Sequence, residues 1–243
     1  MGNMLTYEQL GRINAKWFAI LKQMHQRGGY PYDPEHLEKT LQMLFEGKFP
    51  FDVTDPLFKE AATSNILLWA PVYRALGMEK EYSEFEYDVR PDLWTVPVLA
   101  CVTPSRVIKA FRNLGVDVYC YYNDIDAATP TNDRDPKRDG SYSASFKKNI
   151  EADPEFAGKS AKDLEKAGVK GITLLERLLL ELAYFMQTNA HLDVQNVTLC
   201  SGSRDSDGDV PRVDWYADDR KLCVGWYGMS SSSSDIRARA EVS

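Results

Sequence analysis

The residues best suited to recognise a ligand lie near the end of the chain, in a segment that reads as two strands joined by a turn at 217–221. Side chains along a strand point alternately to opposite faces, so each strand presents two different sets of residues. One set is uniformly apolar and consists of Val213, Trp215, Leu222, Val224 and Trp226. We therefore expect this face of the hairpin to pack against the protein core.

The other face of the hairpin has the composition of an adaptable binding surface, with rigid amphipathic rings beside small polar residues. An ordinary solvated strand face would favour Thr, Lys and Glu instead. We predict that Trp215 and Trp226 are buried and that Tyr216 and Tyr227 are exposed. The alternative interpretation is an irregular edge hairpin with a purely structural role. The candidate ligand-binding residues are Asp209, Arg212, Asp214, Tyr216, Cys223, Gly225, Tyr227, Ser230, Ser231, Ser232, Ser233 and Ser234.

The acidic loop at 123–140 offers carboxylates that a hard cation could accept, but its spacing fails the EF-hand calcium template. A loop counted from Asp133 places Ala144 at the position where a bidentate Glu is required. The chain also has no Gly-x-Ser-x-Gly nucleophile elbow and no phosphate-binding P-loop. We interpret the acid-rich turns as solvated turns, and we expect no catalysis, no metal and no cofactor.

The cysteines carry no metal-binding or redox pattern. They stand at positions 101, 120, 200 and 223, without a Cys-x-x-Cys pair, and the chain has only three histidines. Zinc sites need such ligands clustered at short spacing. We expect free thiols, buried or half-buried, in a reducing compartment.

Composition excludes several classes of protein. The 243 residues include 29 Lys and Arg against 36 Asp and Glu, a net charge of −7, whereas general nucleic-acid binding needs a basic surface. No apolar run approaches the length of a membrane span, and the charged, helix-like start is not a secretory signal. With 44% apolar residues the chain can form a packed core. We expect a cytoplasmic protein that binds neither nucleic acid nor membranes.

The first ninety residues are predicted to be mainly helical. Apolar residues recur at the helical period, and glycines such as Gly47 end the stripes. A third helix at 55–76 is expected to break or kink at Pro71, and 79–88 reads as a connector. We therefore predict a helical N-terminal region at 1–90.

After residue 90 the pattern becomes mixed, which predicts an α+β chain with a second domain at 91–243. Strands are expected at 93–102, 116–122 and 141–146. Thr173 opens the strongest helix, because Glu176 completes a capping box ahead of a wide apolar face.

The second domain resembles the closing half of the C-type lectin fold. The resemblance rests on the order of four features: a long helix (TLLERLLLELAYF), the turn Ser201-Gly202-Ser203, a hairpin, and a final strand with Arg237 and Arg239. The variant it resembles is shared by formylglycine-generating enzymes and by the variable proteins of diversity-generating retroelements. The blocks GSRDSDGDVPRVDW and VGWYG…IRARAEVS also resemble C-terminal segments of proteins from small-genome uncultivated bacteria.

The resemblance to retroelement variable proteins implies a function in ligand recognition. In those proteins the terminal stretch is rewritten by adenine-directed mutagenesis and binds the ligand, so the candidate residues would form a diversified face on a fixed scaffold. The implied partner is a protein ligand. An alternative is an oxidoreductase of the formylglycine-generating class, whose chemistry would require Cys200 and Cys223 to act as a pair. A purely structural domain is a further alternative.

Overall fold

The computed structural model describes residues 69–242. The chain divides into two compact units, Met1–Lys59 and Glu60–Ser243, and the described residues all belong to the second. The helices predicted before residue 69 lie outside the described residues. The described part is a mixed α+β structure, as the sequence predicts.

The described residues contain six α-helices, nine strands and one 3₁₀ turn at Pro154–Phe156. The helices are α1 (Ala70–Ala75), α2 (Glu79–Ser83), α3 (Pro104–Asn113), α4 (Pro136–Asp139), α5 (Ala161–Lys166) and α6 (Leu174–Thr188). The strands are β1 (Leu93–Val98), β2 (Asp117–Cys120), β3 (Thr131–Asn132), β4 (Tyr142–Lys147), β5 (Val197–Leu199), β6 (Ser203–Arg204), β7 (Val210–Tyr216), β8 (Lys221–Tyr227) and β9 (Ile236–Ala238).

Helix α6 begins where the sequence predicts. The Thr173 side chain accepts a hydrogen bond from the Glu176 amide at 3.3 Å, and the Glu176 carboxylate accepts one from the Thr173 amide at 2.8 Å. This reciprocal pair satisfies amides that the first helical turn leaves free. At the other end Asn189 adopts a left-handed conformation with φ 56°, which stops the helix.

One expectation for the segment before residue 90 needs correction, and another stays a prediction. Pro71 stands in the first turn of α1, where its missing amide has no helical partner to lose, and the predicted helix on its N-terminal side lies outside the described residues. The expected connector at 79–88 contains the short helix α2.

The segment before residue 90 packs into the same core as the residues after it. The Trp69 indole donates to the Thr95 carbonyl at 2.8 Å, and the Tyr73 hydroxyl donates to the Pro97 carbonyl at 2.5 Å. Both rings are at least nine-tenths buried. The boundary expected at residue 90 therefore falls inside this packed unit.

The main sheet has five strands in the order β2-β8-β7-β5-β9. Strands β7 and β8 form the antiparallel hairpin, β2 runs parallel to β8, and β5 pairs with β7 antiparallel and with β9 parallel. Two smaller sheets pair β1 with β4 and β3 with β6.

The two faces of the main sheet are covered differently. Val213, Leu222 and Val224 point into the large core that contains the apolar face of α6. On the opposite face, a second apolar cluster around Leu199, Val210 and Ile236 is covered by the segment 156–169 and by Met229. This second cover lies over one end of the sheet only, and the rest of that face belongs to the candidate site.

Candidate ligand-binding surface

The hairpin has the register that the alternating sequence predicts. Val213 lies opposite Val224 and Trp215 opposite Leu222 on the core side, while Arg212 lies opposite Gly225 and Asp214 opposite Cys223 on the other side. Six of the candidate residues therefore share one face of the sheet: Arg212, Asp214, Tyr216, Cys223, Gly225 and Tyr227.

The burial of the hairpin rings is less sharply divided than predicted. Tyr216 is exposed, at 49%, as expected. Trp215 and Trp226 are only half-buried against the core rather than fully buried, because both lie near the ends of the paired strands. Tyr227 is also half-buried rather than exposed, since it packs against the second apolar cluster. Among the four aromatic rings of the hairpin, Tyr216 is thus the most exposed.

An open groove of about 460 Å³ runs along the uncovered part of this face. We call it the hairpin groove. It is bounded on one side by the hairpin strands and the start of their turn, and on the other by the segment between α6 and β5. Its lining residues are Asp193, Val194, Gln195, Asn196, Val197, Arg212, Asp214, Trp215, Tyr216, Ala217, Asp218, Cys223, Tyr227 and Asp235.

Arg212 lies flat on the floor of the hairpin groove. Its guanidinium forms an ion pair with the Asp214 carboxylate and lies 5.1 Å from the centre of the Tyr227 ring. A Cβ atom on Gly225 would lie 3.0 Å from the Arg212 Nε, so the glycine leaves the space that the guanidinium fills. Arg212, Asp214, Gly225 and Tyr227 therefore form one contact set across the two strands.

Asp214 is the one carboxylate of this contact set, and 8% of the residue is exposed. We expected it on an open face, but the neighbouring side chains cover it. Burial raises the pKa of Asp214, and the nearby Arg212 only partly offsets that effect. The charged form of Asp214 is therefore held in the groove at a cost to folding.

We predict that Asp214→Asn leaves the free energy of unfolding at about pH 7 unchanged or higher than in the wild type. The pKa of Asp214 is raised in the folded state, so its ionised form opposes folding above that pKa. The difference from the wild type should shrink as the pH falls through the folded pKa toward about 4, where the carboxyl becomes protonated. Urea unfolding of both proteins across this pH range measures it. A large loss of stability in the variant at neutral pH would contradict this prediction, because it would show that the ionised carboxylate of Asp214 stabilises the fold.

The remaining candidate residues do not line the hairpin groove. Asp209 lies beside Gly228 at the far end of β8, with its amide hydrogen-bonded to Asp205. The serines 230–234 form the connection to β9 and are mostly exposed. The structure therefore separates the candidate residues into a groove set and a distal serine segment.

Two exposed side chains that were not selected from the sequence border the same face. Tyr119 is 53% exposed and lies opposite Cys223 in the parallel pairing of β2 with β8. Val194 lines the groove from the other side and is 46% exposed. The alternation in 116–122 already separates Tyr119 from Val118, but no sequence signal indicates that β2 pairs with β8.

Beneath the hairpin, a buried ion network fixes the segment that forms the far wall of the groove. Arg177 donates to the Asp193 carboxylate at 2.7 Å and to Glu181 at 2.8 Å, and Arg239 donates to the other Asp193 oxygen at 2.7 Å. All four side chains are at most 1% exposed. The Asp193 carbonyl also accepts a hydrogen bond from the Trp215 amide at 3.2 Å, which ties the network to β7.

His191 adds a second link between the network and the hairpin. Its Nδ1 lies 2.8 Å from the Glu181 carboxylate. Its ring stacks on Trp215 with 3.4 Å between the ring centres and 5° between the planes. The core side of β7 is therefore held in place directly behind Asp214 and Tyr216.

The cysteines that the enzymatic alternative would pair lie on opposite faces of the sheet. Cys200 is fully buried in the large core, where burial raises the pKa of its thiol, whereas Cys223 lines the hairpin groove. All four cysteines of the chain are free thiols.

Within residues 69–242, no three His, Cys, Asp or Glu side chains are arranged to hold a metal ion together. Nor does any helix in that range have the length and apolar character needed to cross a membrane.

Comparison of the chain with protein-family models, with curated proteins and with solved structures gave no match.

Proposed function

We propose that this chain is a ligand-binding protein of the C-type-lectin-like class, related to the variable proteins of diversity-generating retroelements, and that it binds a protein ligand in the hairpin groove. The observation that carries the proposal is that five of the twelve candidate residues chosen from the sequence line one open groove. Arg212, Asp214, Tyr216, Cys223 and Tyr227 all border it. The strands that carry them have their other face packed in the core.

Several features of the fold support the lectin-like part of the proposal. The long helix α6 packs behind the hairpin, and the final strand β9 runs parallel to β5 beside it. Arg239, which follows β9, enters the buried ion network. This is the order of elements on which the resemblance rests. In the proposal, the buried ion network supports the hairpin whose outer face binds the ligand.

The chemistry of the groove supports recognition rather than catalysis. Cys223 is the cysteine that lines the groove. Burial raises the pKa of its thiol, so the reactive thiolate is disfavoured. The oxidoreductase alternative needs Cys200 beside Cys223, and the sheet separates them, so we do not propose it. Free cysteines throughout suit a cytoplasmic protein.

We expect the groove residues to tolerate replacement without loss of the fold. Tyr216 is exposed and Arg212 and Cys223 are half-buried, and such positions usually change stability by less than about 0.5 kcal/mol. Asp214 is buried, but its raised pKa means that its charged form opposes folding. The test is a display library of the full chain that varies Arg212, Asp214, Tyr216 and Cys223 together. Most members should unfold near the wild-type denaturant midpoint, and selection against a panel of unrelated folded proteins should yield binders.

A library of the same size at the core-facing positions Val213, Leu222 and Val224 is the matched control, since these residues belong to the same strands. Most of its members should fail to fold, because large core truncations cost about 2–5 kcal/mol. If the groove library fails to fold as often as the core library, the groove face is structural and the proposed function is wrong.

A further inference from the structure

In the described part of the chain, β2 is the outermost strand at one end of the main sheet, and an open groove of about 410 Å³ lies beside it. We call this the edge groove. Three consecutive residues of β2 line it, namely Val118, Tyr119 and Cys120. Consecutive side chains of a strand point to opposite faces of the sheet. A groove that all three residues line therefore follows the edge of the strand.

Helix α3 forms the opposite wall of the edge groove. Ser105, Ile108 and Arg112 line the groove, and their spacing of three and four residues places them on one side of the helix. The Asp126 carboxylate accepts hydrogen bonds from the Ser105 amide at 2.8 Å and from the Ser105 hydroxyl at 2.6 Å, which holds the start of α3 in place. The edge groove thus lies between a strand edge and a fixed helix.

The register of β2 directs backbone groups along this edge. The Tyr121 amide donates to the Val224 carbonyl at 3.0 Å, and β2 runs parallel to β8. In a parallel pair, residues that bond the neighbouring strand alternate with residues whose amide and carbonyl point away from it. Val118 and Cys120 therefore point away from β8. The Val118 carbonyl accepts a hydrogen bond from the Arg112 guanidinium at 3.4 Å, which is long and easily exchanged for a shorter one.

The edge of β2 is also weakly protected against pairing. Lysine and proline are common devices that keep a strand edge from pairing, and the segment 116–122 contains neither. Tyr119 and Tyr121 are 53% and 64% exposed. Large exposed rings beside an unprotected strand edge indicate a site of interaction.

The side chains of the edge groove define the ligand that it suits. Ile108, Val118 and Ile125 contribute apolar side chains to its lining, and each of these residues is at most 5% exposed. Arg112 is exposed and is the one charged residue among the described lining residues. Helix α3 carries three cations and no acidic residue, so this wall is positive in a chain of net charge −7. A complementary ligand therefore combines an apolar side chain with a carboxylate.

We propose that the edge groove binds an extended, acidic peptide segment of a partner protein, which adds to the main sheet as a sixth strand beside β2. Backbone hydrogen bonds to Val118 and Cys120 hold the segment, and a carboxylate of the segment pairs with Arg112. Because β2 has four residues, the added strand spans about four residues as well. The edge groove and the hairpin groove share no described lining residue, so this inference is independent of the proposed function.

The test selects random linear peptides by phage display against the full chain at physiological ionic strength. Arg112→Glu reverses the charge of the groove wall, and Arg106→Glu makes the same change at an exposed position of α3 that does not line the groove. We expect enriched peptides that share an acidic residue and bind Arg106→Glu within about twofold of wild type, but bind Arg112→Glu about tenfold more weakly. If no enriched peptide distinguishes the two variants, the inference is overturned.

N-methylation of single amides in such a peptide tests strand addition without changing the protein. An added strand bonds β2 through every second residue, so methylation should weaken binding about tenfold at alternate positions and much less at the positions between them. A scan without this alternation would overturn the added strand.

Amide hydrogen exchange of the wild-type chain locates the bound peptide independently. The amides of Val118 and Cys120 should exchange about tenfold more slowly with the peptide bound, whereas the Asp218 amide in the hairpin turn should keep its rate. Slower exchange in the hairpin alone would overturn this inference and support the proposed function. If Val118 and Cys120 are protected without peptide as the protein concentration rises, the edge pairs with a second copy of the chain, and the inference is wrong.

Discussion

Replacing Asp193 by Asn should lower the free energy of unfolding by about 3–5 kcal/mol, the loss that follows when one partner of a buried ion network is removed. Asp193 pairs with Arg177 and Arg239, and the three side chains are at most 1% exposed. Without the carboxylate, Glu181 would be the one acidic side chain among residues 69–242 left to pair with these two buried guanidinium groups. Asn keeps the size of the side chain and tolerates the left-handed backbone at φ 54°, so the loss reports the charge.

The pH dependence of the same variant provides an independent check. Burial alone would raise the pKa of Asp193, but the guanidinium groups of Arg239 and Arg177, with the Thr198 hydroxyl, outweigh it and lower the pKa. A lowered folded-state pKa means that the stabilisation is fully present above the unfolded value of about 3.9 and is lost as the pH falls below it. The difference between wild type and Asp193→Asn should therefore stay constant from about pH 7 to 5 and shrink below about 4.

Urea unfolding of the full chain measures both effects, with Asp133→Asn as the matched control. Asp133 is exposed, and its replacement should change stability by less than about 0.5 kcal/mol. A loss of similar size at Asp133 and Asp193 would contradict the assigned network. Asp214→Asn is expected to cause no loss of stability. The same change of Asp to Asn is thus compared in a buried ion network, on the exposed surface and in the hairpin groove.

The longer elements after residue 90 could be predicted from the sequence because their signals are local, whereas β3 and α4 lie in the segment 123–140 that was expected to be a loop. The capping box of Thr173 and Glu176 fixes the start of α6, and strict alternation in 210–227 fixes which residues share a face of the hairpin. Both patterns depend on residues within a few positions of one another.

The buried ion network could not be predicted, because its members come from separate elements. Arg177 and Glu181 are spaced as an ordinary exposed pair on a helix, and no local signal distinguishes them from one. They are buried because the segment carrying Asp193 and the strand leading to Arg239 both converge on that side of α6. Burial of charge is a tertiary property, and only the assembled fold reveals it.

The sequence predicts which face of the hairpin carries the candidate site, but it does not predict how far each side chain of the site is buried. Alternation places Asp214 and Tyr227 on the same face as Tyr216, but it does not predict that Arg212 pairs with Asp214 or that Tyr227 packs against the second apolar cluster. Tyr119 was missed for a related reason, since the pairing of β2 with β8 joins residues far apart in the chain. The groove consequently differs from the predicted surface where neighbouring strands and loops meet it.

The turn that precedes the hairpin is closely packed against the start of helix α6. Gly202 belongs to the turn Ser201-Gly202-Ser203 and packs against the residues that start α6. Its amide donates to the Ile172 carbonyl at 3.1 Å, and the Leu174 amide donates to the Ser203 hydroxyl at 3.0 Å. These bonds join the turn to the N-terminus of the helix, so the hairpin and α6 are held at a fixed distance.

Gly202→Ala should therefore destabilise the protein by about 1–3 kcal/mol, the usual cost of overpacking, even though it adds one methyl group. The new Cβ would lie 2.6 Å from the Gly171 carbonyl oxygen and 3.2 Å from the Ile172 carbonyl carbon. Both are backbone atoms, so a side-chain rotation cannot relieve the contact, and the turn must move away from α6. For a chain of this size the melting temperature should fall by about 2–4 °C for each kcal/mol lost.

Gly228→Ala is the matched control for this prediction, because it makes the same substitution at a glycine of the same region with space around it. There the added Cβ would lie 3.5 Å from the Ser231 Oγ and 3.7 Å from the Asp209 carboxylate, which are ordinary contacts. Its stability should stay within about 0.5 kcal/mol of wild type. If the two variants melt at the same temperature, the turn is not held against the start of α6, and the rigid base assigned to the hairpin loses this support. If only Gly202→Ala is destabilised, the close approach of the two backbones is what forbids a side chain at position 202.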